Sequence, residues 1–186
     1  FHYTLDYSVN LFAAVGLSAA SRPARSYRLA ELLKAAEPTA GSNFFELGEP
    51  RWSDILRDLD IPRRIAPALL QRILTPESDC EVVPVVGRSF SGKSTLLRRL
   101  CVELHKLGRP VYFFDCKAGS LQPHEVLAAI AGDAANETDR VFVACDNANM
   151  QLLQAALSLQ DYTSAANGIT IVSTHQFSDI SIDIGL

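Results

Sequence analysis

Nine residues constrain this chain more than any others. Gly87-Arg88-Ser89-Phe90-Ser91-Gly92-Lys93-Ser94-Thr95 read G-x-x-x-x-G-K-S-T, the pattern of a backbone cradle for phosphate. The flanks agree with the loop. Val82-Val83-Pro84-Val85-Val86 before it form a short β-branched run, as a buried strand should. After it, Leu96, Leu97, Leu100, Cys101, Leu104 and Leu107 share one stripe of a helix running from Lys93 to Leu107. Gly108 follows where a helix C-terminal glycine belongs. Strand, glycine loop and helix therefore arrive in order, which points to an α/β fold.

The chemistry asks for these residue types. A triphosphate is a dense anion and needs many donors at short range. Gly87 and Gly92 let the backbone curl so that successive N–H groups point inward, including those of Ser89, Phe90 and Ser91. The new helix offers its free N–H groups and positive dipole end around Ser94 and Thr95. Lys93 supplies a flexible charge for the β- and γ-phosphates, and the Ser94 hydroxyl is of the type that ligates Mg²⁺.

The 186 residues are 48% hydrophobic and 20% charged, enough for one domain with a real core or a domain plus a small appendage. Net charge is −4, but it is uneven: residues 1–114 carry 15 Lys/Arg against 12 Asp/Glu, and residues 115–186 carry 2 against 9. No long basic run exists, so charge gives no indication of nucleic acid. Cys80, Cys101, Cys116 and Cys145 are not spaced as a zinc site or redox pair, and the expectation is buried, reduced thiols of a cytoplasmic protein. The apolar stretch Val9–Ala20 is too short to span a bilayer and lacks a preceding basic run, so no membrane partner is expected. A chain that opens on Phe1 and stops after Leu186 reads as part of a longer polypeptide.

Residues 1–50 read as a helical upstream segment or linker. Ser8–Ala19 and Ala24–Glu37 have helical spacing, the second with Leu29, Leu32 and Leu33 on one face; Pro38–Ser42 is a break. Arg22, Arg25 and Arg28 fall on one helical side, which suits a solvated face or a phosphate patch. Residues 51–79 read as a helical lead-in. Ser53 is placed to cap a short helix through Leu59, and Pro62 to open a second helix carrying Ile65, Leu69, Leu70 and Ile73. The expected role of Trp52 is packing.

Residues 80–186 read as the core, with strands and helices in alternation. Strands are expected at Glu81–Val86, Val111–Asp115, Val141–Cys145 and Ile169–Ser173, and helices at Pro123–Ala131 and Met150–Leu159. The strands are continuously apolar, which implies a parallel sheet covered on both faces. The third strand runs into Asp146, 53 residues after Lys93. A carboxylate at that strand end can hold Mg²⁺ directly or through water.

With the loop and this Asp in place, the chain resembles P-loop ATPases that carry an additional strand between their two Walker motifs. That resemblance implies a three-layer P-loop NTPase core with a parallel sheet, truncated here after the fourth strand, which lies between the first and third. In this division a Glu commonly follows the Walker B Asp and polarises the attacking water. Asn147 stands there instead; it can orient a water but not take its proton, so slow hydrolysis is expected. The fourth strand ends in Ser173-Thr174-His175-Gln176, and the resemblance gives it the place of the sensor strand. It is similar to the Ser-Thr-Arg of the regulatory branch called STAND, the signal-transduction ATPases with numerous domains. The resemblance puts His175 in the arginine's place; the alternative is an ordinary loop histidine. About thirty residues before the lysine, Asp60-Ile61-Pro62-Arg63-Arg64 is similar to the entry segment of bacterial STAND-type NTPases. There Ile61 would pack on the base and Arg63 would lie near the ribose or phosphates.

The expectation is thus an ATP- or other NTP-binding domain with Mg²⁺, Lys93, Asp146, Asn147 and His175 at its chemical centre. It would serve as a regulatory switch in a larger multidomain, bacterial defence protein. Its partners would be nucleotide, further domains of the same polypeptide, and further copies of the full-length protein. The alternatives are an actively hydrolysing AAA-type motor and a P-loop kinase. Asn147, the sensor-like strand and the lead-in count against the kinase.

Overall fold

A computed structural model describes residues 28–36, 51–116, 137–148 and 168–176. The expected helices at Ser8–Ala19, Pro123–Ala131 and Met150–Leu159 and the break at Pro38–Ser42 lie outside the described residues. Arg22, Arg25 and the ends of Ala24–Glu37 do too.

Among the described residues, four parallel strands form one sheet: β1 (Cys80–Gly87), β2 (Val111–Asp115), β3 (Val141–Asp146) and β4 (Ile169–Gln176), in the spatial order β1-β4-β3-β2. All four expected strands are present, parallel, with the fourth between the first and third. The described helices are α1 (Leu29–Ala35), α2 (Trp52–Leu56), α3 (Ala66–Leu74) and α4 (Lys93–Lys106).

The pleat sorts the strand side chains onto two faces. One face carries Val111, Phe113, Phe142, Ala144 and Val172; it buries Leu96, Leu97, Leu100 and Leu104 of α4 with Leu29 of α1 and Ile73 of α3. The other carries Tyr112, Phe114, Val141, Val143, Cys145, Ile169 and Ile171, also buried. Burial on both faces is why these strands show no alternation of polar and apolar residues.

The helix ends explain two shifted boundaries. The short helix expected from a Ser53 cap through Leu59 instead runs from Trp52 to Leu56, preceded by Arg51. Asp54 reaches back from its first turn, accepting from the Arg51 backbone N–H at 3.4 Å, and Ser53 is buried inside the helix. A Schellman turn ends it early: Leu59 N–H bonds Asp54 O at 3.0 Å, Asp58 N–H bonds Ile55 O at 3.1 Å, and Asp58 takes φ +55°. The second lead-in helix begins at Ala66 rather than Pro62, with Pro67 in its first turn. Ile65 is exposed rather than part of its buried face. At α4 the same Schellman arrangement is closed by Gly108 at φ +74°, as the sequence implied.

Arg99 fastens the lead-in to the core. Its guanidinium donates to Ile55 O at 2.9 Å, to Asp58 Oδ1 at 2.7 Å and to both oxygens of Asp60. The Asp60 carboxylate holds this guanidinium above its ordinary pKa. Trp52 meets Phe113 edge-on, with ring centroids 4.8 Å apart, so its packing role is met against the sheet.

Candidate functional site

The glycine loop lies between β1 and α4, at the carboxyl edge of the sheet. Gly92 takes φ +77°, a conformation that disfavours any side chain. A Cβ there would run into the Arg63 guanidinium, so the lead-in arginine lies directly against the loop. A Cβ at Gly87 would stand 3.0 Å from Ser91 Oγ. Phe90 takes φ +59° and is fully exposed at the loop's outer turn. The Ser89 hydroxyl donates to Gln176 Oε1 at 3.2 Å, linking the loop to the end of β4. Lys93 Nζ folds back on its own loop, donating to Gly87 O at 3.0 Å and Arg88 O at 2.8 Å.

Below the loop the polar groups converge on Asp146, which is 1% exposed. Its Oδ1 accepts from Ser94 Oγ at 2.9 Å, Thr174 Oγ1 at 2.7 Å and the Asn147 backbone N–H at 3.1 Å. Its Oδ2 accepts from Arg98 Nη1 at 3.1 Å. The two expected metal-binding residues, Ser94 and Asp146, are therefore in direct contact. A hydroxyl and a carboxylate side by side under a phosphate cradle are the oxygen donors that Mg²⁺ prefers, so the residues present fit such an ion.

Asn147 takes φ +52°, and its amide Nδ2 donates to Asp115 Oδ1 at 2.9 Å. Asp115 and Asp146 are register partners at the ends of β2 and β3.

His175 stands apart from this group. The fourth strand does not stop at Ser173 but continues through Gln176, because Val85 and Val86 of β1 pair with Thr174 and His175. Thr174 faces Asp146; His175, one residue on, points to the opposite face, 1% exposed, its Nε2 2.7 Å from Ser173 Oγ. Of the two lead-in residues, Arg63 reaches the loop and Ile61 is 68% exposed. Arg63 also lines a cavity of about 420 Å³ between the lead-in and α4, together with Pro62, Ala66, Pro67, Leu70 and Leu100. Thr95 is half-buried in the first turn of α4.

Arg98 and Asp115 escaped the sequence reading as site residues, and Thr174 was read only as part of the sensor-like tip, with His175 singled out in its place. Each carried a signal. Arg98 is four residues after Ser94 and so shares its helix face. Thr174 is two residues after Val172 and so shares its α4-facing side of the strand. Asp115 ends β2 as Asp146 ends β3.

A family described as Novel STAND NTPase 5 matches residues 42–181. The chain belongs to this family. This STAND chain is accordingly a nucleotide-binding P-loop NTPase domain, of a class that generally binds nucleotide with Mg²⁺. Among solved structures, it is similar to "Structure of C. elegans PCH-2", with 15% sequence identity and a TM-score of 0.51. The match covers 74% of this chain and 43% of that one, so the STAND chain spans less than half of that protein's length. At this identity the likeness concerns the fold alone, an α/β P-loop core. No curated protein matches the sequence. Among the described residues no helix is long and apolar enough to cross a membrane.

Proposed function

We propose that this STAND domain binds ATP with Mg²⁺, hydrolyses it slowly, and acts as a nucleotide-dependent switch in a larger multidomain protein of bacterial defence. The observation that carries the reading is the contact of Ser94 Oγ with Asp146 Oδ1, 2.9 Å apart, beneath the loop that ends in Lys93. In this reading Ser94 and Asp146 hold the metal, which screens the charge of the β- and γ-phosphates when bound. The N–H groups of Ser89 to Thr95 take the phosphate oxygens. Lys93 exchanges the carbonyls of Gly87 and Arg88 for phosphate. Arg63 lies close enough to the loop to meet a ribose or phosphate, and Ile61 is exposed and available to a base.

A switch needs a ligand that prefers one arrangement, since nucleotide shifts an equilibrium only by its differential affinity. The site has two parts, the loop on the sheet and the lead-in held by Arg99. Nucleotide touching both would favour their docked state. Asn147 in the place of a base supports slow turnover.

The test has two stages. Titration with a non-hydrolysable ATP analogue should show Lys93→Ala binding more weakly by about 1.5–3 kcal/mol, the scale of a charge-assisted hydrogen bond. Equal affinities would remove the loop from the site. Native mass measurement of the full-length protein, with and without ATP and its activating signal, should then show a change of assembly that Lys93→Ala does not. Unchanged mass and protease sensitivity would leave a plain nucleotide-binding domain. Turnover on the order of 10 s⁻¹, the median for enzymes, would favour an AAA-type motor.

A further inference from the structure

The carboxyl edge of the sheet holds a second carboxylate that the reading above does not use. Asp115 ends β2 in register with Asp146, one strand spacing away, about 4.8 Å. It falls on the same face as Val111 and Phe113, which is the face that carries α4, the helix that follows the phosphate loop. It is half-buried rather than sealed in the core.

Asn147 joins it to the site. A carboxylate only accepts hydrogen bonds, so the Asn147 amide presents its NH₂ to Asp115 Oδ1, at 2.9 Å. The Asn147 backbone N–H meanwhile donates to Asp146 Oδ1 at 3.1 Å and to Thr174 Oγ1 at 2.9 Å. These bonds hold Asn147 at φ +52°, a backbone conformation uncommon outside glycine. The result is a continuous polar line from Ser94 through Asp146 and Asn147 to Asp115. Asn147 cannot accept a proton, but it fixes the orientation of a group that can.

We infer that Asp115 is the general base of the slow hydrolysis, with Asn147 as its positioning residue. This rests on the proposed binding of ATP at the loop. A water oxygen attacks the γ-phosphorus and forms the new P–O bond. The bond from the γ-phosphorus to the bridging oxygen breaks, and its electron pair leaves with ADP. The proton lost by the water passes to the Asp115 carboxylate and then to solvent. The products are ADP and inorganic phosphate. A base that stands one strand beyond the metal-binding carboxylate, held through an amide, gives a slow step without abolishing it.

The experiment separates binding from chemistry in the 186-residue chain. Affinity for a Mg²⁺-bound, non-hydrolysable ATP analogue is measured beside single-turnover hydrolysis of ATP, for the wild type, Asp115→Asn, Asp115→Glu and Asn147→Ala. Asp115→Asn should keep its affinity within about twofold and its thermal midpoint, while its rate falls about 100-fold or more, the usual loss for a missing base. Asp115→Glu should recover part of the rate. Asn147→Ala should lose rate by a smaller factor, also without loss of affinity. Asp115→Asn hydrolysing at the wild-type rate would overturn the inference. So would a parallel loss of affinity and rate, which would make Asp115 structural. Wild type that binds the analogue yet turns over no ATP would overturn it too, while leaving the nucleotide-binding reading intact. Wild type that binds no analogue would bring down that reading first, and the inference with it.

Discussion

Arg98 and Asp146 form an ion pair in the floor of the phosphate site, Nη1 to Oδ2 at 3.1 Å, with side chains only 12% and 1% exposed. The guanidinium also lies 5.6 Å from the Trp52 ring centroid and 4.9 Å from that of Phe113. A permanent cation thus occupies one oxygen of the carboxylate expected to hold Mg²⁺. Its removal should expose a conflict between stability and metal binding. Arg98→Met leaves Asp146 without its charge partner and should cost about 3–5 kcal/mol in the absence of metal. Mg²⁺ with nucleotide should restore part of that loss. Urea unfolding in chelator and in Mg²⁺–ATP checks both; equal losses in the two conditions would separate Arg98 from the metal site.

Thr174 ties β4 to the same carboxylate, and its hydroxyl also accepts from Asn147 N–H at 2.9 Å. Thr174→Val keeps the shape and deletes both bonds. The expected cost is about 1–3 kcal/mol, because polar groups with little access to water lose a partner. Denaturant midpoints of the two proteins measure it.

Gly92→Ala should destabilise the protein by about 1–2 kcal/mol, the cost of a side chain in the left-handed backbone. The new methyl also displaces the Arg63 guanidinium, but that is the far end of a flexible, exposed side chain and can swing aside at little cost. Adding Arg63→Ala should therefore change the stability of Gly92→Ala little. Denaturant midpoints of the three proteins measure it; a large recovery in the double variant would show that Arg63 is held rigidly against the loop.

The thiols give a prediction in pH. Burial, with Asp115 and Asp146 nearby, pushes Cys116 up from an ordinary 9.0 to about 12. Cys101 and Cys145 are raised by burial as well. Between about pH 9 and 12 the folded chain keeps a proton that the unfolded chain has released. Stability contributed by the neutral thiol is therefore full below pH 9 and declines as pH rises through that window. Urea unfolding from pH 8 to 10 should show the decline, and Cys116→Ala should make it shallower.

Much of the fold was legible because its requirements are local. A β-branched run, a glycine loop and a leucine stripe announce β1, the loop and α4 with little help from distant residues. The four strands and their order followed from apolar runs and the resemblance they carry. The misplaced boundaries have one distant cause and one local one. Thr174 and His175 look like a polar loop, yet pairing with Val85 and Val86 keeps them in β4. Ser53 looks like a cap, but Asp54 satisfies the helix start and Ser53 is buried. Within the site, Ser94 and Asp146 were legible from their motifs. Arg98 was not, because its meaning comes from a carboxylate 48 residues away.

The strand order also sets a sequence of assembly. β2 pairs with β3 across 31 residues, from Val111 to Phe142, and β3 with β4 across 28, from Val141 to Ile169. β1 pairs with β4 across 89, from Cys80 to Ile169. Loop-closure entropy alone penalises the long pairing by about 0.9 kcal/mol more than the β2–β3 one. Among the described residues β1 pairs only with β4, so of the four described strands the one that leads into the phosphate loop is made first, and its partner is made last. The lead-in can dock on α4 and β2 as soon as these are made, but the phosphate loop at the end of β1 meets Gln176 only once Ile169–Gln176 has left the ribosome.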